Sequence, residues 1–385
     1  AGPLLTSTWR GPAAAEALYA AQRQVAGYAA LAGEAAVVGT WDDHDYGVND
    51  GGAADHNESS RAEAQRLFLD FLGEPEGSEI RSRRGVFSSR DFGPPGRRVK
   101  LLLLDTRTFR DAHGSGGDVL GEEQWAWLER ELRGSTAQIH LVGSSIQVLD
   151  DAAAWYPPVR LMRAITGFTV EGWSSWPAAR GRLLSLLGTV PGVVILSGDV
   201  HHGVVSEWGA GCGGVPYKAI DVTSSGLTHV ISEKMPVGVR DRLVSAAGML
   251  DTDALFPRPF NRRRRLMAAN FGTVEVDWDA EGGPEVALAV RDASGAPRLE
   301  RVVRLAELAL PEPSALPRPT KSQCVMERDL SVWDRARLIG AILSISLSPH
   351  ASTLALCGSL GLIALGVYFV WRLAALEPGA KRKAD

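Results

Sequence analysis

Apolar residues recur along the chain in three patterns, and each predicts a different kind of element. Residues 12–35 are rich in alanine, with Leu18, Tyr19, Val25 and Tyr28 at roughly helical spacing, which predicts a helix or a helix pair. Residues 60–72 are also helical in pattern, with Ala64, Leu67, Phe68 and Phe71 on one face. Residues 121–133 follow suit with Trp125, Leu128 and Leu132 facing inward. The second pattern is the short unbroken apolar run. Residues 35–40 (AAVVGT), 99–104 (VKLLLL), 139–148, 192–197 (GVVILS) and 219–222 read as buried strands. The third is strict alternation, over residues 270–278 and 285–291, with a Glu-Gly-Gly-Pro turn between them, which predicts an antiparallel pair. Strands alternating with helices, then a late antiparallel pair, predict an α/β sandwich with mixed sheets.

The pattern changes after residue 306. Residues 307–323 (ELALPEPSALPRPTKSQ) are Pro-rich and read as an extended linker, continued by a juxtamembrane segment to 337. Residues 338–372 are predominantly apolar, and the core of that stretch, 351–371, carries no charge over 21 residues. At helical rise this spans roughly 30 Å, the thickness of a bilayer core. Tyr368 and Trp371 sit near one end, and Arg372, Lys381, Arg382 and Lys383 follow in a short basic tail, 373–385. The expectation is a single-pass C-terminal transmembrane helix in contact with membrane lipid, with the large domain luminal or extracellular and the tail cytosolic. The alternative is a buried core helix.

Composition changes this picture little. The 385 residues are 45% hydrophobic and 22% charged, the profile of a folded globular chain. A formal net charge of −4 gives no reason to expect nucleic acid as a partner, and the run Arg262–Arg265 is too short to alter that. Three cysteines, Cys212, Cys324 and Cys357, fit no zinc spacing; a Cys212–Cys324 pair is compatible with an oxidising compartment but not required.

Candidate chemistry gathers in three places. Asp42, Asp43, His44, Asp45, Asn49 and Asp50 crowd nine positions after an apparent strand. Like charges this close repel unless cations offset them, and hard oxygen ligands suit Ca, Mg, Mn or Fe. A solvated acidic turn is the alternative. Ser197-Gly198-Asp199-Val200-His201-His202 follows a second buried strand, where Asp199 and His201 can reach one centre. Asp105-Thr106-Arg107-Thr108-Phe109-Arg110-Asp111 follows a third, with arginine forks suited to phosphate oxygens or to a structural Arg–Asp pair. His229 is a candidate for the same rim, and Trp155, Trp173 and Trp176 for a cap over it.

These residues carry a family resemblance. Trp41-Asp42-Asp43-His44-Asp45-Tyr46-Gly47, Asp105-Thr106-Arg107, Ser144-Ser145-Ile146-Gln147-Val148, Ser197-Gly198-Asp199-Val200-His201, Thr223-Ser224-Ser225-Gly226 and Asn270-Phe271-Gly272 occur in the order of PhoD-like alkaline phosphatases, within the calcineurin-like metallophosphoesterases. The resemblance covers roughly residues 20–290. It implies two mixed β-sheets packed as a sandwich flanked by helices, with a multinuclear site of divalent or trivalent metal ions (Ca, Mn, Mg or Fe). By resemblance Asp43, Asp199 and His201 are metal ligands, His44 contacts phosphate or protonates the leaving group, and Arg107 lies near the phosphate. Asp45, Tyr46, Asn49, His202 and His229 are then candidates for the substrate-binding surface. The implied function is metal-dependent hydrolysis of a phosphoester, a monoester or a diester, in a membrane-anchored domain over residues 1–306.

The resemblance departs at one point. The family supplies further ligands upstream of the Trp-Asp-Asp-His motif, whereas the residues before Trp41 contain no Asp and only Glu16 and Glu34 as carboxylates. The chain therefore reads as a fragment, with a degenerate relative as the alternative. A non-catalytic, membrane-anchored binding or scaffold protein is the rival function.

Overall fold

The computed structural model describes residues 11–112, 116–149, 171–228, 230, 266 and 268–312. All lie in one compact unit, Ala1–Ile231 with Pro259–Val325. The alanine-rich stretch forms a helix pair, α1 (Pro12–Arg23) and α2 (Ala26–Glu34). Pro12 starts α1 in the first turn, where its missing N–H leaves no bond unmade. Tyr19 and Tyr28 stack on Phe71, at 4.7 and 5.5 Å between ring centroids. The acidic segment contributes the single turn α3 (Asp43–Tyr46). Asn57 then caps α4 (Glu58–Leu72) by accepting the Ser60 N–H at 2.9 Å, and Gly73, at φ 71°, ends it. A one-turn helix, α5 (Glu79–Ser82), follows.

The main sheet has the order β1-β2-β3-β4-β6-β5, from β1 (Ser88–Phe92), β2 (Val99–Leu103), β3 (Ile139–Ser144), β4 (Val193–Ser197), β5 (Gly203–Trp208) and β6 (Ala219–Ser224). The four central strands, β2, β3, β4 and β6, are parallel; β1 and β5 pair antiparallel at the two edges. Helix α6 (Gly121–Arg133) connects β2 to β3, and α7 (Pro177–Leu187) precedes β4. The strand expected at residues 35–40 is not one. The outer edge of β2 that it would extend is taken by β1, and Thr40 instead donates its hydroxyl to the Leu104 carbonyl at 2.7 Å.

The second sheet is β7 (Asn270–Asp277), β8 (Glu285–Asp292) and β9 (Pro297–Arg304). Two mixed sheets were expected; among the described residues this one is antiparallel throughout. Its connections are a few residues long, and a short turn joins only antiparallel neighbours. One apolar cluster unites the two sheets with α6 and α7. It contains Trp125, Leu128, Val142, Leu183, Ile195, Val205, Leu288 and Val303. Asn270 fastens the second sheet to the end of β6. Its N–H donates to Gly226 O at 3.0 Å, and Ser224 Oγ donates to its side-chain carbonyl at 3.1 Å. A Cβ on Gly226 would lie 2.1 Å from Asn270 Nδ2, so this approach requires glycine.

Cys212 is buried and disulfide-bonded; Cys324 and Cys357 lie outside the described residues. No helix among the described residues is long and apolar enough to cross a membrane. The linker from residue 313, the apolar stretch 338–372, the basic tail and Arg262–Arg265 lie outside the described residues.

His140, buried at the start of β3, sits 2.8 Å from the Pro191 carbonyl through Nδ1 and 2.8 Å from Ser135 Oγ through Nε2. A carbonyl only accepts, so Nδ1 carries the proton and Nε2 accepts from the serine. Burial holds the imidazole below its ordinary pKa, with the Pro191 carbonyl acting against that shift. Unfolded, the ring takes up its proton near pH 6.5. The unfolded state therefore binds more protons just below that pH. The stability from this ring is complete above about pH 6.5 and declines as pH falls through the interval down to the folded pKa. In urea titrations the wild-type midpoint is expected to fall between about pH 7 and 5.5, and His140→Gln to lose less over the same interval.

Candidate functional site

Four parallel strands side by side bring four loops to one edge of the sheet. Asp105-Thr106-Arg107 follows β2 and Ser145-Ile146-Gln147 follows β3. Gly198-Asp199-Val200-His201 follows β4 and Ser225-Gly226 follows β6. The register levels their ends, with Leu103 opposite Gly143, Ser144 opposite Ser197 and Ser197 opposite Thr223. The carboxyl ends of parallel strands are where α/β proteins collect their sites.

Buried polar groups fix each loop. Asp105 Oδ1 accepts the Arg107 and Thr108 N–H groups, both at 2.9 Å, and Oδ2 accepts the Val86 N–H at 2.9 Å. Below them Asp221 Oδ2 accepts the Val148 and Leu149 N–H groups at 2.9 Å, and Oδ1 accepts Ser197 Oγ at 2.6 Å. Thr223 Oγ1 accepts Gln147 Nε2 at 2.8 Å. A fully satisfied network of this kind holds a single arrangement, because each broken bond strands a buried group.

The loop after β4 is strained. Asp199 (φ 73°) and His201 (φ 55°) both adopt the left-handed conformation, at a cost of ~1 kcal/mol or more each. The His201 N–H donates to Ser225 Oγ at 3.1 Å, and His202 Nδ1 lies 2.8 Å from the Val200 carbonyl. The acidic segment closes on itself. Asp43 accepts the His44 N–H at 2.7 Å through one oxygen and the Asp50 N–H at 3.0 Å through the other.

Arg107 joins these parts. Its side chain is fully buried. Nε donates to Asp42 Oδ1 at 2.8 Å, Nη1 to Glu171 Oε1 at 3.0 Å and to Gly51 O at 3.4 Å. Nη2 meets Asp42 Oδ1 and lies 2.7 Å from Glu171 Oε2. Arg110, also buried, pairs with Glu171 through Nη1, donates to Gly51 O at 2.9 Å through Nη2, and lies 5.0 Å from the Trp176 ring. Burial alone would lower the Arg107 pKa; Asp42 and Glu171 beside it outweigh burial and hold it well above the ordinary range. Burial pushes the Asp199 carboxyl well above its usual range, and the charges of Asp42 and Glu171 add to this. The stretch after Trp41 and the turn after β4 thus share one electrostatic neighbourhood.

The described residues do not by themselves fit the metal that the resemblance implies. Among them no group of three or more His, Cys, Asp or Glu side chains is arranged to hold an ion. Asp42 Oδ1 and both oxygens of Glu171 face guanidinium nitrogens, and both oxygens of Asp43 accept backbone N–H groups.

The individual candidates fare differently. Asp43 and Asp199 are brought together with Asp42, and His201 follows on the same strained turn. His44 is half-buried, its ring makes no hydrogen bond among the described residues, and Nδ1 is closed off from solvent. Arg107 was expected at a phosphate, but every guanidinium nitrogen already faces a protein oxygen, so its donors serve the fold. Tyr46 is a core residue and not part of a binding surface. It is fully buried against Trp41 and His56, and its hydroxyl donates to Gly52 O at 3.2 Å. Asp45 turns to α1, accepting the Tyr19 hydroxyl at 2.9 Å, and burial pushes its carboxyl up to about 6. Asn49 is exposed on its loop, and His202 is buried against its own backbone. His229 and Trp155 lie outside the described residues. Trp173 and Trp176 are buried, Trp173 donating to Ser144 Oγ at 3.0 Å, so they pack the interior where a cap was expected. Glu171 had not been foreseen. It stands in no recognisable motif, and only its nearness to Trp173 and Trp176 marks it.

The model of the PhoD-like phosphatase family matches residues 17–234. Among solved structures, one titled "Structure of PhoD" is similar at 17% identity, over 69% of this chain and 54% of that one, with a TM-score of 0.40. A purple acid phosphatase from yellow lupin (Lupinus luteus) seeds is similar at 14% identity, over 71% of this chain and 39% of that one, with a TM-score of 0.35. The chain thus spans about half the length of the first of these and less of the second. No curated protein matches it.

If Tyr46 is a core residue, Tyr46→Phe should cost about 1 kcal/mol of stability, for one buried hydrogen bond, and Tyr46→Ala about 3–5 kcal/mol. Denaturant unfolding measures both.

Proposed function

The chain belongs to the PhoD-like phosphatase family, and on that footing we propose that it is a phosphoester hydrolase whose reacting groups stand at the shared ends of β2, β3, β4 and β6. The observation that carries this reading is convergence. Asp42 and Asp43 reach Arg107 and Asp199 from segments far apart in sequence, at the edge where parallel strands end. Strain at Asp199 and His201 supports it, because such conformations cluster where a side chain must be aimed.

His44 is the proposed proton donor. Its ring makes no hydrogen bond among the described residues, and Nδ1 is closed off from solvent, so Nε2 is the nitrogen left to meet a substrate. As the imidazolium, the ring can pass the Nε2 proton to the oxygen leaving phosphorus and become neutral imidazole. Asp43 sets the position of His44 by accepting its backbone N–H. Arg107 acts from behind, through Asp42. The described residues present no three-donor group of their own, so calcium, manganese, magnesium and iron are the ions to supply in assays.

Hydrolysis of p-nitrophenyl phosphate and bis(p-nitrophenyl) phosphate, with each of those ions added in turn, tests the proposal. Turnover of one ester is expected, with His44→Ala lowering kcat roughly 100-fold at unchanged thermal midpoint. No turnover of either ester with any ion would reject hydrolysis and leave the scaffold reading. We further infer that residues 351–371 anchor the chain in a membrane, with the folded domain on the luminal or extracellular side and membrane lipid around the apolar stretch. A chain ending at residue 337 should then move from the membrane to the soluble fraction on centrifugation, and its remaining in the membrane fraction would count against the anchor.

A further inference from the structure

The geometry points to Arg107 and Arg110 as the resident counter-ions of the acidic cluster, with Glu171 as the positioning residue that locks both in place. Four carboxylates, those of Asp42, Asp43, Glu171 and Asp199, lie close enough to perturb one another. Left alone, such a group repels itself and draws in a cation. Here the cations are covalent parts of the chain. Arg107 grips Asp42 through Nε and Nη2 and both oxygens of Glu171 through Nη1 and Nη2. Arg110 meets Glu171 at Oε1, the oxygen that Arg107 Nη1 also reaches, and, through the Gly51 carbonyl, the end of the acidic loop. The guanidinium is suited to this because its fork satisfies two carboxylates at once and is held charged even when buried.

The arrangement has two consequences. Asp42 stands immediately before Asp43 and His44, so the clamp fixes where those two side chains emerge. Asp42 Oδ1 and both oxygens of Glu171 also face guanidinium nitrogens, which keeps those three from serving as ligands to an ion from solution. This inference does not depend on hydrolysis, and its test does not use activity.

Thermal unfolding of the wild type, Arg107→Gln, Glu171→Gln and the double variant, each with and without millimolar calcium, separates the possibilities. Arg107→Gln should lower the midpoint by roughly 10 °C, since it leaves buried carboxylates uncompensated. Calcium should restore part of that loss while leaving the wild-type midpoint unmoved. The double variant, balanced again in charge, should unfold above Arg107→Gln and show no calcium response. A gain of calcium sensitivity on losing Arg107 is a signature that ordinary loss of packing does not produce. The inference is overturned if Arg107→Gln unfolds within about 2 °C of the wild type. It is also overturned if calcium raises the wild type as much as the variant, or if the two single losses simply add. Should Arg107→Gln fail to fold, Arg107→Lys keeps the charge and loses the fork. A lowered midpoint without calcium response then supports the clamp; a wild-type midpoint or a new calcium response overturns it.

Discussion

The carboxylate of Glu171 is brought out of water and that of Asp42 partly so, beside Asp43 and Asp199, and this is tolerable only because Arg107 and Arg110 are buried with them. An isolated ionised group in a protein interior is very costly, and attraction to a well-placed opposite charge offsets that cost. The rest of the site follows from where the arginines are held. Arg107 and Arg110 leave the end of β2 on a loop whose amides Asp105 ties down. The acidic segment can sit where it does because Thr40 fastens it to the same strand end. Glu171 completes the balance from a segment that β2 and the acidic loop do not otherwise contact through these bonds.

Beside these ion pairs lies a network of hydrogen bonds. Ser197, Thr223 and Gln147 connect the ends of β3, β4 and β6 around Asp221, which also receives the amides of Val148 and Leu149. Hydrogen bonds that leave no member unsatisfied make a stiff floor. A stiff floor allows the turn above it to keep Asp199 and His201 in left-handed backbone that a looser loop would relax. The second sheet contributes through Asn270, which bonds to Gly226 beyond the end of β6 and so reaches the rim of the site from the far side of the core.

Much of the fold was legible because its central elements follow simple periodicities. VKLLLL announces β2, GVVILS announces β4, and α6 has its Trp125, Leu128 and Leu132 stripe. The elements that escaped notice lack such signals. β1 reads SSRDF, polar because an edge strand is half solvated, and α7 carries Pro177 and Gly181. β9 is masked by its opening proline and charged outer face. The false strand at residues 35–40 shows that an apolar run guarantees neither a vacant sheet edge nor burial, since Val38 is exposed. In the site, residue types showed where chemistry gathers but not which way each side chain points. Tyr46 sits amid the acidic motif and turns inward, because a one-turn helix sends neighbours to opposite sides. Glu171 was invisible for a further reason: its significance is a partnership with residues more than sixty positions earlier, and local pattern carries no trace of that.

Leu149 and Glu171 are both pinned, the first by its amide to Asp221 and the second by two arginines. The two holds share no residue, so loss of either one leaves the other in place.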